Sequence, residues 1–380
     1  MRALIAAPFY PPHPGGIERH SAGVVAELRR RGWQVDVVHC ATDQETLDRA
    51  EGPSGERLHA LDSRLWAGRL PFPRRTERNA KVLERVRNSS FDFVLIQSHL
   101  FVSNLMVARA VRSAHSVWLN HGSAHVAAGN PVVDRCVVAY EHLLAGRLRR
   151  VVSTVAGVSQ EAAAWVSHMG VNADSSVGNA VARVSAPREG RREGPLRVVA
   201  VGRLEPAKGA LEAIRLVSSL PASADVELTV CGGGSIAARV EREARASRKR
   251  VVTTGAIPHE EVQAHLSGAD VLLLLSDSEG FPTVLLEAGA AGCAVLTYPV
   301  GGTAEVLGNG GGWRVGDEQE AAARLLELAD RPALATEAGE VLRRTVESTY
   351  TWPPVVDRLL ALAGVRDDAS ALPPSASAHQ

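Results

Sequence analysis

The chain has 380 residues, more than one hydrophobic core usually serves, so its length favours two domains of roughly 150 to 200 residues each. With 45% apolar and 22% charged residues it can bury a core, which excludes a wholly disordered chain and a miniature scaffold. Lys+Arg and Asp+Glu both total 42, so nothing global steers it toward nucleic acid, and any electrostatic partner is met locally.

Lys81, Lys208 and Lys249 are the only lysines. The other cations are Arg in an Ala-, Arg-, Gly- and Val-rich chain, so a single Arg says little and a Lys merits inspection. Cys40, Cys136, Cys231 and Cys293 lie far apart without a C-x-x-C pair, which argues against a zinc knuckle or redox dithiol. The strongest apolar run, Val271 to Leu275, is strand-length and far short of the ~20 residues of a membrane span. Met1 to Pro8 passes from a strand pattern into a Pro/Gly loop without a signal-peptide core, so a cytoplasmic location is expected.

Short apolar runs alternate with amphipathic segments throughout, the pattern of parallel sheets covered by helices, and the predicted class is α/β. In chain order the first half predicts strands at Ala3 to Ala7, Gln34 to His39, Phe91 to Gln97, Ser116 to Asn120 and Val151 to Ala156. A helix is predicted over Ile17 to Arg31, with Val24, Val25 and Leu28 on one face and a stop at Gly32. Between Val184 and Pro195 a polar stretch with Pro and two Gly breaks the pattern and reads as a linker. Strands then resume at Leu196 to Val201, Val226 to Cys231, Val251 to Thr254, Val271 to Leu275 and Ala294 to Tyr298. The expected organisation is a first domain over 1–184, a linker over 185–195, a second domain over 196–350, a helix over 351–365 crossing back, and a disordered tail over 366–380.

Ligands of open parallel sheets bind where strand-end loops meet helix N-termini. Directly after Val271 to Leu275 comes Ser276-Asp277-Ser278-Glu279-Gly280-Phe281-Pro282-Thr283-Val284-Leu285-Leu286-Glu287. Gly280 permits a tight turn, Pro282 suits a first helical position, and the helix onset offers free N–H groups that fit a phosphate. About one turn in, Glu287 is placed to accept hydrogen bonds from ribose hydroxyls, and Glu279 would face the other end of the ligand. The plainer reading is a solvated Glu279 and a Glu287 that merely complements the helix dipole. In Gly202-Arg203-Leu204-Glu205-Pro206-Ala207-Lys208-Gly209, two cations five residues apart can bracket a diphosphate. The run Cys231-Gly232-Gly233-Gly234-Ser235 lacks a P-loop lysine and reads as an ordinary glycine turn.

These loops, with Pro299-Val300-Gly301-Gly302-Thr303-Ala304-Glu305-Val306, resemble the nucleotide-sugar half of retaining GT-B glycosyltransferases of the fourth family, the group 1 glycosyl transferases. Pro14-Gly15-Gly16-Ile17-Glu18-Arg19-His20 resembles that family's glycine loop, and Asn120-His121-Gly122 its histidine after a later strand; the resemblance covers about residues 1 to 365. It implies a GT-B fold, two Rossmann-like parallel-sheet domains facing across a cleft, and transfer of a hexosyl unit from a nucleotide-diphosphate sugar, UDP mildly preferred, to a hydroxyl acceptor. By residue it implies a diphosphate pair in Arg203 and Lys208, a ribose carboxylate in Glu287, and donor-sugar contacts from Glu279 and the Gly280 and Phe281 backbone, with Pro282 and Thr283 at the helix start. Gly15 and Gly16 would close over the diphosphate or acceptor, and His121 would lie beside the reacting sugar. On residue type alone, His121 reads as an ordinary strand-end histidine. Where the family carries Pro-Asn-Gly-Val-Asp, this chain reads Val177-Gly178-Asn179-Ala180-Val181-Ala182-Arg183, which puts that segment's role in doubt.

No D-x-D occurs, so the carboxylate clamp for a metal on the diphosphate is absent and no metal or other cofactor is expected in this chain, with Arg203, Lys208 and the helix N-terminus supplying positive charge. An epimerase of the same fold and a non-catalytic nucleotide-binding module remain alternatives. Between Arg64 and Arg87, eight cations (Arg64, Arg69, Arg74, Arg75, Arg78, Lys81, Arg85, Arg87) face two anions (Glu77, Glu84). That stretch reads as a solvated helix face or, alternatively, as a weak peripheral membrane contact.

Overall fold

Strands buried on both faces read as continuous apolar runs, and every residue of Phe93–Gln97 and Ser116–Asn120 is buried. The structure, a computed structural model, describes all residues except 14, 67–69, 112, 127–129, 186–192, 309 and 368–380. Most of the expected linker at 185–195, the expected tail beyond 367, Pro14 and Arg69 lie outside the described residues. The chain divides into two units: Met1–Val158 with Ala162–Val177 and the segment from Trp352, and Ser159–Glu161 with Gly178–Thr351.

The first unit holds β1 (Arg2–Ala6), β2 (Gln34–Ala41), β3 (Arg57–Trp66), β4 (Leu70–Pro73), β5 (Phe93–Gln97), β6 (Ser116–Asn120), β7 (Thr154–Gly157) and β8 (Ser175–Ser176). They form one sheet in the order β4-β3-β2-β1-β5-β6-β7-β8, parallel except for the antiparallel β3–β4 pair. Its helices include α1 (Gly16–Arg30), α2 (Gln44–Asp48), α3 (Glu77–Arg87), α4 (Val102–Val111), α5 (Pro131–Arg149) and α6 (Gln160–Trp165), the last beginning in the other unit's short segment. Leu4, Ile96, Trp118, Leu144 and Leu148 centre the core.

The second unit holds β9 (Leu196–Val201), β10 (Val226–Cys231), β11 (Arg250–Gly255), β12 (Val271–Leu274), β13 (Ala294–Thr297) and β14 (Gly312–Arg314), all parallel, in the order β11-β10-β9-β12-β13-β14. Its helices are α7 (Ala210–Ser219), α8 (Ala237–Ala246), α9 (His259–Gly268), α10 (Thr283–Ala290), α11 (Thr303–Leu307), α12 (Glu318–Asp330) and α13 (Ala333–Thr349). Connections leave β9 and β12 in opposite directions along this sheet, which is a topological switch point and opens a crevice at their carboxyl ends. The two strands pair only at Val198–Val271 and Val199–Leu272, so their last residues carry no shared ladder.

The final helix, α14 (Trp352–Leu362), packs within the first unit against α1. Gly23 on α1 makes room for it, since a Cβ there would fall 1.9 Å from the Trp352 ring. Arg31 fixes the helix start, donating to Asp357 at 2.5 Å and to the Pro353 carbonyl at 2.9 Å. Among the described residues, no helix is long and apolar enough to cross a membrane.

Three expectations need correction. The basic stretch is helical only over α3; Arg64 lies on β3, and Arg64, Arg74 and Arg75 line, with Trp66, Phe72 and Tyr140, a cavity of about 970 Å³. The strand expected from Val151 starts at Thr154, because the Val151 and Val152 N–H groups both close the end of α5 on the Leu148 carbonyl. Pro282 caps α10 from outside, which leaves Thr283 as the first helical residue.

Candidate active site

In the second unit the loops after β9 and β12, read separately in the sequence, form one hydrogen-bonded body. The Asp277 N–H donates to the Ala207 carbonyl at 3.0 Å. Lys208 Nζ donates to Glu279 Oε1 at 2.6 Å and to the Ser278 carbonyl at 3.3 Å. The two side chains are only 22% and 19% exposed, so the pair is partly desolvated and Glu279 is not the freely solvated group of the plainer reading. Lys208 ends the short 3₁₀ turn Pro206–Lys208. Gly209 follows with φ +75°, and a Cβ there would lie 2.2 Å from the Leu275 carbonyl oxygen, so glycine is needed for the loops to meet. An ammonium has three donors; with two engaged, one remains for a ligand.

Arg203 is exposed at the mouth of the crevice that it lines with Gly202, Lys208 and Gly209. The glycine run after β10 buttresses this loop. A Cβ at Gly232 would meet the Gly202 carbonyl oxygen at 1.9 Å, and one at Gly234 the Leu204 carbonyl oxygen at 2.3 Å. Leu204 N–H donates to the Gly233 carbonyl, and Glu205 accepts from the Ser235 N–H at 3.2 Å. Close backbone approach therefore accounts for this glycine run.

The loop before α10 is held from below by residues to which the sequence assigned no task. A Cβ at Gly301, φ +51°, would lie 2.8 Å from the Glu279 carbonyl oxygen, and one at Gly302 would lie 2.5 Å from the Phe281 ring. Phe281 is buried beside Tyr350, and the Gly280 carbonyl accepts from Ser159 Oγ at 3.0 Å. These contacts aim the first turn of α10, with Pro282 and Thr283, at the switch point, and Glu287 sits half-buried one turn further along. In the atypical segment Asn179 is buried, and the Val181 N–H donates to the Tyr350 carbonyl, so part of its task is to pair with 350–351.

In the first unit, Gly15 caps α1 and a Cβ there would lie 1.9 Å from the Glu18 carboxylate, whereas a Cβ at Gly16 meets open space. Glu18 is buried, which raises its carboxyl above the usual range, and His13 Nδ1 lies 3.5 Å away. His121 leaves the end of β6 with its Nε2 on the Gln97 carboxamide oxygen; the Gln97 amide nitrogen in turn donates to His20 Nδ1 at 3.1 Å. The His20 ring meets those of His121 and Trp352 edge-on, 5.1 and 5.5 Å between centroids. Burial pushes His20 down to about 4, and burial together with His20 holds His121 well below the ordinary imidazole value. His121 is thus neutral near pH 7, with Nε2–H given to Gln97 and the Nδ1 lone pair unprotonated. Gln97 was missed because a polar residue closing an apolar strand looks unremarkable in sequence; His20 stood in the quoted glycine motif without a role.

Known proteins match this chain in both halves. The family described as Glycosyltransferase Family 4 matches residues 14–177, and the one described as Glycosyl transferases group 1 matches residues 183–344. The phosphatidylinositol N-acetylglucosaminyltransferase GPI3 subunit of Saccharomyces cerevisiae is 31% identical over 173 residues, 43% of this chain and 38% of its own. A glycogen synthase of Mycobacterium tuberculosis is 33% identical over 173 residues, 43% of this chain and 41% of its own. The similarity thus spans about two fifths of these relatives' length. Among solved structures, Anabaena HepE in complex with UDP superposes with a TM-score of 0.73 at 16% identity, covering 96% of this chain and all of that one. A sucrose-phosphate synthase of Thermosynechococcus elongatus gives 0.72 at 20% identity, covering 95% and 97%. With one family match on each half and the fold shared along nearly its whole length, the chain belongs to the group 1 glycosyltransferases of the GT-B fold.

Proposed function

We propose that this chain is a retaining hexosyltransferase that takes its sugar from a nucleoside diphosphate, UDP by preference, and gives it to a hydroxyl acceptor. The observation that carries this reading is the joined pair of loops at the β9–β12 switch point, where Arg203, Lys208, Glu279 and the first turn of α10 converge. Arg203, the remaining Lys208 donor and the N–H groups opening α10 bind the diphosphate and stabilise the charge that grows on it as the glycosidic bond breaks. Glu287 takes the ribose hydroxyls. Glu279, anchored by Lys208, takes donor-sugar hydroxyls with the Gly280 and Phe281 backbone. Gly15 and Gly16 close over diphosphate or acceptor, and neutral His121 serves the reacting sugar. The departing phosphate takes the acceptor proton, so the chain's part is to position and to stabilise charge, with no metal on the diphosphate.

The kinds of relative, an N-acetylglucosaminyltransferase and a glycogen synthase, and the UDP held by the Anabaena structure support this donor class. The test is a screen of hydroxyl acceptors with labelled UDP- and GDP-sugars, read as acceptor-dependent nucleotide release and followed by NMR of the product anomer. The expected outcome is transfer from a UDP-sugar with the donor's anomeric configuration kept. An inverted product would overturn the stereochemistry, and failure of both UDP and GDP to bind would overturn the site.

A further inference from the structure

Away from these loops, the first unit gathers three histidines from three elements. His125 lies in the loop after β6, His142 on α5, and His168 on the 3₁₀ turn Val166–Met169 that follows α6. One ring nitrogen from each lies within 4.8 Å of the other two. The hydrogen bonds around them decide which nitrogens carry protons. His125 Nδ1 is bonded to the carboxylate of Glu141, which is buried and also accepts from the Val126 N–H at 3.2 Å. His168 Nδ1 is bonded to the Trp165 carbonyl. A carboxylate already taking a backbone N–H and a backbone carbonyl are acceptors, so both Nδ1 atoms must donate. With both rings as neutral imidazoles, both Nε2 atoms are then lone pairs, and they lie 3.0 Å apart.

Two facing lone pairs at that distance repel unless something positive lies between them. With metal–nitrogen bonds of 2.0–2.1 Å and tetrahedral angles, ligand nitrogens sit about 3.4 Å apart, close to the observed separation. The His125–Glu141 bond is the carboxylate–histidine arrangement that fixes the tautomer and orientation of a metal-bound imidazole. Trp165 walls the cluster, its ring 4.5 Å from that of His168 and 5.1 Å from that of His125. His168 is exposed, which gives the site an entry path and room for water as a fourth ligand.

We propose that His125, His142 and His168 bind a divalent transition-metal ion, zinc by the preference of neutral imidazoles for such ions, with Glu141 orienting His125. The ion ties the β6–α5 loop, which begins at His121, to α5 and to the turn at 166–169. Its role is to set that loop, and it lies outside the diphosphate chemistry.

The test uses the untagged full-length protein, stripped with chelator, re-dialysed against zinc and assayed by atomic emission, with cobalt(II) as a spectroscopic probe. The expected result is one zinc per chain and the visible bands of tetrahedral cobalt. His142→Ala and His168→Ala should each lose both, and Glu141→Gln should bind zinc about 10- to 100-fold more weakly. His168 is exposed, so its alanine variant keeps the fold, checked by circular dichroism. Absence of stoichiometric zinc in the wild-type chain, as a proton shared between His125 and His168 would give, overturns the proposal. Equal zinc binding by the folded His168→Ala and His142→Ala variants overturns it as well.

Discussion

Lys208 Nζ stands 2.6 Å from a carboxylate oxygen of Glu279, and the two residues belong to loops leaving adjacent strands, β9 and β12, of one sheet. The cation proposed for the diphosphate is therefore held in place before any ligand arrives, and its partner is a group proposed for the sugar. Neither residue can be removed without disturbing the other.

Arg203→Ala and Lys208→Ala should each cost about 3 kcal/mol of transition-state stabilisation, a hundred- to thousand-fold in turnover. Lys208→Ala should be the worse of the two, because it leaves the Glu279 carboxylate unneutralised beside an anionic ligand. Steady-state kinetics on both variants check this, with Lys208→Ala/Glu279→Ala expected to regain part of the nucleotide affinity. Wild-type rates in both single variants would remove the cations from the mechanism.

Glu287→Ala should weaken UDP binding by about 2 kcal/mol, the scale of charge-assisted hydrogen bonds, and leave the melting temperature nearly unchanged since the side chain is half-buried. Isothermal titration with UDP and with uracil alone separates the contributions: the ribose-containing ligand should lose affinity and the free base should not.

If protein cations carry the charge on the diphosphate, UDP affinity measured in excess EDTA should not rise when Mg²⁺ is restored. A Mg²⁺-dependent gain of tenfold or more would show that a metal bridges the phosphates.

Acid sensitivity follows from the buried imidazoles. His20, His39 and His99 are each pushed down to about 4, and His121 well below its ordinary value, in every case mainly by burial. The unfolded chain takes up these protons near pH 6.5 while the native chain refuses them, so stability is full above 6.5 and falls as the pH drops toward 4. Each imidazole contributes up to about 1.4 kcal/mol per pH unit in that window. Urea midpoints at pH 7, 6 and 5 should decline, and His20→Gln should decline less steeply; a flat series would contradict the assignment.

Gly23→Val should loosen α14, because the first added carbon already falls within the Trp352 ring. Overpacking of this kind costs about 1–3 kcal/mol, read as a lowered melting temperature with Trp352 fluorescence shifted toward that of solvent-exposed indole.

Much of the framework could be read from residues alone where burial is complete. Ser116–Asn120, Leu196–Val201 and Val226–Cys231 begin and end where their apolar runs do. β3 escaped because its apolar residues alternate with Arg57, His59, Asp62, Ser63 and Arg64; two of these are buried and satisfied locally, His59 on Asp36 at 2.7 Å and Ser63 on the Leu61 carbonyl at 2.8 Å. These polar residues, one bonded to β2 and one to the strand's own backbone, interrupt the continuous apolar run that marks the other strands. The loops around Arg203, Lys208, Glu279 and Glu287 were visible as motifs. Their mutual bonding was not, since the Asp277–Ala207 and Lys208–Glu279 contacts join positions about 70 residues apart along the chain. The three-histidine cluster was hidden for the same reason: its members are far apart in sequence and come from a loop, a helix and a turn.

The edge strand β4 consists of Leu70, Pro71, Phe72 and Pro73, with Pro71 and Pro73 opposite Leu65 and Ser63 of β3. Every second residue thus lacks an N–H, and both prolines fall on the register that faces away from β3. A strand from another molecule arriving at this margin would find carbonyls and no matching donors, so the eight-stranded sheet cannot be extended there by a second copy. Replacing both prolines with Thr or Val would restore a continuous row of donors and invite intermolecular sheet growth in concentrated solution, a liability that any engineering of the neighbouring cavity would have to respect.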